Sequence, residues 1–336
     1  MKLYRLHQPG IDTLTLCEED VPRPGPGQAL VRVHATSLNY RDLMTVSGRY
    51  ARGAPQPGLV PLSDGAGEVA EVGPGVTRVA AGDRVAGIFM QRWIAGRITP
   101  EAAASALGGA VHGMMAEYVV LDAEGLVHIP AHLTFEEAAT LPCAAVTAWH
   151  ALAEHARTRA GEAVLVQGTG GVSIFALQFA RLFGARVIAT SSSDDKLARA
   201  LALGASDGIN YRTSPEWQDA AVALTGGAGV DEVVEVGGAG TFARSLDAVR
   251  LGGSISLIGV LTGAAEVNPT GIMRKSLSVR GIYVGSREMF ADMNRAIAAH
   301  RLRPVIDRVF PFAEAREAFR HMQGAGHFGK IVIKHT

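Results

Sequence analysis

The stretch VLVQGTGGVSIFALQFARLFGARVIAT, Val164 to Thr190, decides the fold. With Ala163 before it, it opens on AVLVQ, a run short and apolar enough for a buried strand. GTGGVS follows, and then Val172, Phe175, Ala176, Phe179 and Phe183 recur at helical spacing. Gly184 is placed to end that helix, and RVIAT is the next strand. A strand, a glycine turn, a helix and a second strand make the unit in which such a turn binds a dinucleotide pyrophosphate. Gly168 allows the tight turn. Gly170 lets the backbone approach the phosphates. Ser173 stands where the third glycine of the fingerprint would be and is small enough for close helix–sheet packing. The helix N-terminus beyond it offers free N–H groups to an anion.

The same alternation continues outward. A second helix runs through Leu197, Ala198, Leu201 and Ala202 and stops at Gly204. Further strands are expected at DGIN (207–210), DEVVEV (231–236), SISLIGV (254–260) and LSVRGIYV (277–284). Strands alternating with helices predict an α/β domain with a doubly wound parallel sheet. Upstream the texture differs. QALVRVHA (28–35) alternates apolar and polar, and GAGEVAEVGPGVTRVAAGDRVAG (65–87) holds short valine-rich strands between Gly and Pro turns. Residues 1 to about 125 therefore read as a small β-rich domain, and 302–336 return to mixed short elements.

The end of the second strand bears on the cofactor. Where an NAD site commonly places an acid, this chain has Ser191, Ser192 and Ser193. A carboxylate there would repel a 2′-phosphate, whereas a serine can donate to it. Lys196, one turn into the next helix, supplies a charge, and Tyr211, after the third strand, a hydroxyl. NADPH is the expected cofactor. Ser193 also reads as the cap of a helix starting at Asp194, and Asp194 or Asp195 remains an alternative acid.

Composition sets outer bounds. The 336 residues suit two domains, with 48% hydrophobic and 19% charged residues. Net charge is zero and no basic run occurs, so neither nucleic acid nor a membrane is an expected partner. MKLYRLHQPG has no apolar core of a secretory signal, and a cytoplasmic location is expected. Cys17 and Cys143 are too few for a disulfide framework or a structural zinc site.

The chain resembles the medium-chain dehydrogenase/reductases. The matching stretches are GEVAEVGPGVTRVAAGDRV (67–85), LPCAAVTAWHAL (141–152), the Val164–Thr190 run, VVEVGG (233–238) and HFGKIVI (327–333). The resemblance implies a GroES-like catalytic domain from 1–125 and 302–336 and a Rossmann NADP-binding domain from 126–301, with the active site in the cleft between them. It implies cofactor contacts at Thr147, Gly168, Gly170, Gly171, Val172, Ser191, Ser192, Lys196, Tyr211, Val260, Val284, Ser286 and Lys330. It also implies a homodimer in which the strand matching SISLIGV pairs with its twin.

Zinc alcohol dehydrogenases of this family carry a Cys and a His–Glu pair in the metal site. Those positions fall on Asn39 and on Ser63–Asp64, with Cys143 at the third ligand position. One soft ligand beside Asn and Ser does not make a catalytic zinc site, and no metal is expected. NYRDLMTVSGRY (39–50) resembles the matching stretch of zinc-independent quinone oxidoreductases and enoyl reductases. That resemblance implies hydride transfer from NADPH to a quinone or an α,β-unsaturated carbonyl, with Tyr50 and Asn39 as catalytic groups. Tyr50 reads either as a proton donor or as a wall of the pocket. Arg41 and Asp42 read as a structural ion pair, and Met44 stands where quinone reductases often have a second tyrosine. Two rival readings are an alcohol dehydrogenase of the same fold and a non-catalytic NADPH-binding protein.

Overall fold

In the computed structural model the described residues are 1–50, 56–259, 261–263 and 266–335. They form two compact units, Met1–Val146 with Gly285–Thr336, and Thr147–Val284.

The first unit is built on strands β1 (Lys2–Leu6), β2 (Leu14–Glu18), β3 (Gln28–Leu38), β4 (Asp64–Val72), β5 (Arg84–Gly87), β6 (Tyr118–Asp122) and β7 (Leu126–His128). The second holds β8 (Ala163–Gln167), β9 (Arg186–Ser191), β10 (Asp207–Asn210), β11 (Val230–Glu235), β12 (Val249–Leu257) and β13 (Ser278–Gly281). The chain then returns to the first unit with β14 (Ile306–Pro311) and β15 (Lys330–Lys334).

The sheet of the second unit runs β10-β9-β8-β11-β12-β13, every pair parallel. The order reverses at β8, so a crevice for a ligand opens beyond the C-terminal ends of β8 and β11. All five residues of β8 are buried, as a strand covered on both faces requires. The helix Gly171–Leu182 buries Phe175 and Phe179, each worth roughly 1.5–3 kcal/mol of transfer free energy. Its buried set is wider than one stripe. Ser173, Ile174 and Leu177 are buried too, while Val172 and Phe183 are only half-buried. Gly184 and Gly204, at φ +79° and +104°, end their helices as expected.

In the first unit, β14-β15-β3-β4-β5-β7 form one sheet, with β6 also paired to β3. β15 lies antiparallel to β3, Ile331 opposite Leu38, which ties the C-terminal segment to the start of the chain. Val31, Val33, Val69, Val85 and Leu121 fill one side of this unit, and Leu38, Leu62, Phe319, Ile331 and Ile333 another.

Two expectations need correction. The boundaries at 125 and 302 fall instead at 146 and 285, because β7 pairs with β5 and Asn294 Nδ2 donates to the His128 carbonyl at 3.0 Å. The SISLIGV strand cannot pair with its twin, because β12 already has β11 on one edge and β13 on the other. The open edge belongs to β13. Val260 lies outside the described residues.

Glu232 on β11 is buried beside the Ser254 hydroxyl, and burial pushes its carboxyl up to about 7. The unfolded chain ionises this group near its ordinary 4.5 while the folded chain keeps the proton. Folding should therefore lose about 3 kcal/mol of stability as pH rises from 4.5 to above 7. His155, held down to about 4 by burial and then by Arg280, acts with the opposite sign. The difference between proteins isolates Glu232. Urea unfolding at about pH 5 and about pH 8 should show Glu232→Gln gaining relative to wild type at the higher pH.

Candidate active-site residues and family

In the second unit the turn after β8 is shaped by polar contacts. Gly168 has φ +69°, and nothing lies within 4 Å of where a Cβ would stand on Gly168 or Gly170. Gly170 is the N-cap of the helix Gly171–Leu182, and its side is open to an anion. The Ser173 hydroxyl donates to the Gln167 carbonyl at 2.6 Å, closing the turn beneath. These residues fit a dinucleotide pyrophosphate.

The serines divide their tasks. Ser193 caps the helix Asp194–Ala202, accepting from Lys196 N, which is the capping role read from the sequence. Ser191 Oγ accepts from Ser193 N at 3.2 Å, and the Ser191 carbonyl accepts from Tyr211 N at 3.0 Å. The ends of β9 and β10 thus bring Ser191, Ser192 and Tyr211 together. Asp194, one of the two alternative acids, accepts from Asn210 Nδ2 at 2.7 Å.

Other expected contacts lie elsewhere. Thr147 is buried, 3% exposed, in the helical turn Val146–Trp149. Val284 has φ +53°, an unusual backbone for a β-branched residue, and its carbonyl accepts from His150 Nδ1 at 2.7 Å. Ser286 caps the helix Arg287–His300 through Met289 N.

Glu235 carried no role in the sequence reading. It is fully buried and accepts from Gln167 Nε2 at 2.7 Å, Gly237 N at 2.8 Å, Gly238 N at 2.9 Å and Thr241 Oγ1 at 2.6 Å, and also from Ser245 Oγ. Gln167 Oε1 in turn accepts from Gly237 N at 3.2 Å. One carboxylate therefore fixes the loops after β8 and β11 that flank the crevice. The VVEVGG match was the available signal, but a lone acid at a strand end does not announce four or five donors.

In the first unit Asn39, Ser63 and Cys143 gather around Asp64 and Lys330. Lys330, 2% exposed, donates through Nζ to the Leu38 carbonyl at 2.7 Å and to Asn39 Oδ1 at 2.6 Å, and lies 3.6 Å from Asp64 Oδ2. Asp64 accepts from Ser63 Oγ at 2.7 Å, Ser37 Oγ at 3.4 Å and Cys143 N at 3.2 Å. Desolvation, and then Asp64, push the Cys143 thiol well up, away from the thiolate a metal needs. Ser63 and Asn39 spend their oxygens on Asp64 and Lys330. This donor set does not fit zinc, and among the described residues no group of three or more His, Cys, Asp or Glu could hold a metal ion.

Tyr50 is half-buried, with the Arg41 guanidinium 4.7 Å from its ring centroid. Arg41 is held by Asp42 at 3.0 Å and by the Leu107 and Gly108 carbonyls at 2.9 and 3.0 Å. Burial alone would lower the Arg41 pKa, but Asp42 and then Tyr50 outweigh it and the net direction is up. The ion pair is structural, as expected, and it also places a fixed cation against the phenol.

Comparison with known proteins defines the class. An alcohol dehydrogenase GroES-like domain matches residues 25–131, and a zinc-binding dehydrogenase domain matches 171–299. A zinc-type alcohol dehydrogenase-like protein of Schizosaccharomyces pombe is 45% identical, over 97% of this chain and 96% of its own. A quinone oxidoreductase of Pongo abelii is 30% identical, over 93% of this chain and 91% of its own. The crystal structure of a putative alcohol dehydrogenase from Sinorhizobium meliloti superposes with a TM-score of 0.93 at 43% identity, covering 99% of this chain and 98% of that one. The chain belongs to the medium-chain dehydrogenase/reductase superfamily, with a GroES-like and a Rossmann-like domain. It is an oxidoreductase of that superfamily, whose members use a nicotinamide dinucleotide. No helix among the described residues is long and apolar enough to cross a membrane.

The Glu235 network gives a test. Glu235→Gln keeps the size but replaces one acceptor oxygen with a donor. It should lower stability by roughly 3 kcal/mol in urea unfolding and weaken dinucleotide binding in a fluorescence titration. Wild-type stability and affinity in the variant would show that the loops hold without it.

Proposed function

We propose that the protein is a metal-independent, NADPH-dependent reductase of quinones or α,β-unsaturated carbonyl compounds. The observation that carries this is the donor set itself. At the positions matching metal ligands, Asn39 and Ser63 give their side-chain oxygens to Lys330 and Asp64, which leaves the Cys143 thiol as one soft ligand, its backbone amide bonded to Asp64. Without a Lewis acid, charge developing on a substrate oxygen has to be met by hydrogen-bond donors. That suits a conjugated C=C bond or a quinone, where hydride creates an enolate or a hydroquinone anion. The nicotinamide supplies the hydride. In this reading Asn39 donates to the oxygen and Tyr50 returns the proton. The Arg41 cation near the ring supports the second role, because it stabilises the charge a phenol acquires on losing its proton.

NADPH rather than NADH is supported by Ser191 beside Tyr211, with Asp194 tied to Asn210. Two copies associating at the open edge of β13, in the cytoplasm, complete the proposal. Alcohol oxidation is the second reading, favoured by the names of the Schizosaccharomyces and Sinorhizobium relatives. NADPH consumption with a panel of quinones and enones, against NADP⁺ reduction with alcohols, separates the two.

Lys196→Ala should weaken NADPH binding by roughly 1–3 kcal/mol and leave NADH nearly unchanged. Equal wild-type affinities for the two cofactors would remove the basis for NADPH. Tyr50→Phe should lower kcat for an enone by about tenfold to a hundredfold and change quinone reduction much less, since a quinone's product oxygen can take its proton from water. Unchanged enone turnover would make Tyr50 a wall of the pocket.

A further inference from the structure

Lys330 sits on β15, and the ammonium it carries is 2% exposed, between β3 and β4. Its three hydrogens face the Leu38 carbonyl at 2.7 Å, Asn39 Oδ1 at 2.6 Å and, farther off, Asp64 Oδ2 at 3.6 Å. An ammonium has hydrogens to give and no lone pair to offer. The atom of Asn39 turned toward it must therefore be the oxygen, and the two ends of the amide are distinguished by chemistry rather than by shape. The amide nitrogen then points away from Lys330. Asn39 Nδ2 is buried and has no hydrogen-bond partner among the described residues. A buried donor left unpaired is rare in a folded protein and is retained where a ligand pairs with it.

We propose that Lys330 is a positioning residue: its ammonium, sited where the three metal-ligand positions converge, locks the Asn39 amide so that Nδ2 donates to the oxygen of the reducible substrate. The inference rests on the reductase reading above and deepens it. Lys330 does not touch substrate, and its buried ammonium, given to the Leu38 carbonyl and Asn39 Oδ1, does not make the cofactor contact that the resemblance implied. It acts through Asn39 in two ways. It fixes which end of the amide is free, and it draws charge toward Oδ1, which makes the Nδ2 hydrogens better donors. Asp64 holds the ammonium in place and is itself held by Ser63, Ser37 and the Cys143 amide. Ser63 and Cys143 thus serve the lysine. A metal ion and the ammonium are mutually exclusive here, since both need the Asn39 oxygen and the same space.

The test uses the full-length protein with NADPH and a simple cyclic enone. Lys330→Met keeps the length of the side chain and removes its charge. We expect kcat to fall tenfold to a hundredfold, less than the roughly hundredfold to thousandfold of a deleted transition-state donor because the Asn39 amide remains, while the enone KM and the NADPH Kd stay within about threefold of wild type. In an Asn39→Ala background the further effect of Lys330→Met should vanish, because the lysine acts through that amide. Lys330→Arg, which keeps a cation against Oδ1, should recover part of the loss. If Lys330→Met does not fold, Asn39→Asp carries the test. It keeps an acceptor for the ammonium and deletes the donor, so it should fold, bind NADPH and lose at least tenfold in kcat. A readout apart from turnover is Co²⁺ titration: the wild type should develop no thiolate-to-cobalt absorption. Enone turnover in the wild type that survives Lys330→Met or Asn39→Asp unchanged overturns this proposal alone. So does additivity of Lys330→Met with Asn39→Ala. Cobalt–thiolate absorption in the wild type overturns it together with the metal independence of the reductase reading. A wild type that turns over no quinone or enone overturns the reductase reading, and the proposal with it.

Discussion

An ammonium removed from water has to meet acceptors wherever it has hydrogens, and the first unit is arranged around one that does. Lys330 and Leu38 are 292 residues apart in sequence, yet Nζ of one bonds the carbonyl of the other at the end of β3. The C-terminal strand is thereby fixed to the N-terminal domain by a polar contact as well as by the Ile331 and Ile333 side chains in the core. Breaking such a buried pair by removing one partner typically costs about 3–5 kcal/mol. Asp64 opposite must be satisfied too, and Ser37, Ser63 and the Cys143 amide do so. The identities of four polar residues follow from one charge.

Much of the architecture was legible because periodicity is local. The all-buried β8, the helix with Phe175 and Phe179, the glycine stops and the Ser193 cap are each decided within a few residues of sequence. What was not legible depends on partners. Whether residues 126–128 belong with the sheet before them or the helices after them is settled only by β5. That SISLIGV has no free edge is settled only by β13. From the sequence, Lys330 in HFGKIVI stood only as a cofactor contact that the resemblance implied. Its task appears only when β15 is laid against β3, because the acceptors come from Leu38 and Asn39. Glu235 is a similar case, since its donors come from β8, the next turn and the helix Ala239–Ala248.

A family resemblance follows the whole chain, whereas chemistry follows a few side chains. The zinc-binding dehydrogenase model matches residues 171–299, and the zinc-type relative matches 97% of this chain. Neither match requires the metal. The metal requires ionised thiolate, imidazole or carboxylate aimed at one point. Here the thiol is pushed toward its neutral form by desolvation and by Asp64, and the two other positions hold an amide and a hydroxyl already in use.

Charge balance carries the argument one step further. The segment from Asn39 to Tyr50 contains the buried Arg41–Asp42 pair and adjoins the buried Lys330–Asp64 pair. Two basic side chains thus stand beside two acidic ones. A dication would have to displace the Lys330 ammonium from Asn39 Oδ1, and one thiol and two neutral oxygens return little for the water it gives up in a dry site. A single negative charge developing on a substrate oxygen is a smaller perturbation. It would meet one amide backed by Lys330 and one phenol backed by Arg41, each a neutral donor stiffened by a cation behind it. In the proposed reaction, the work a single metal ion does for a carbonyl would be divided between these two organic cations.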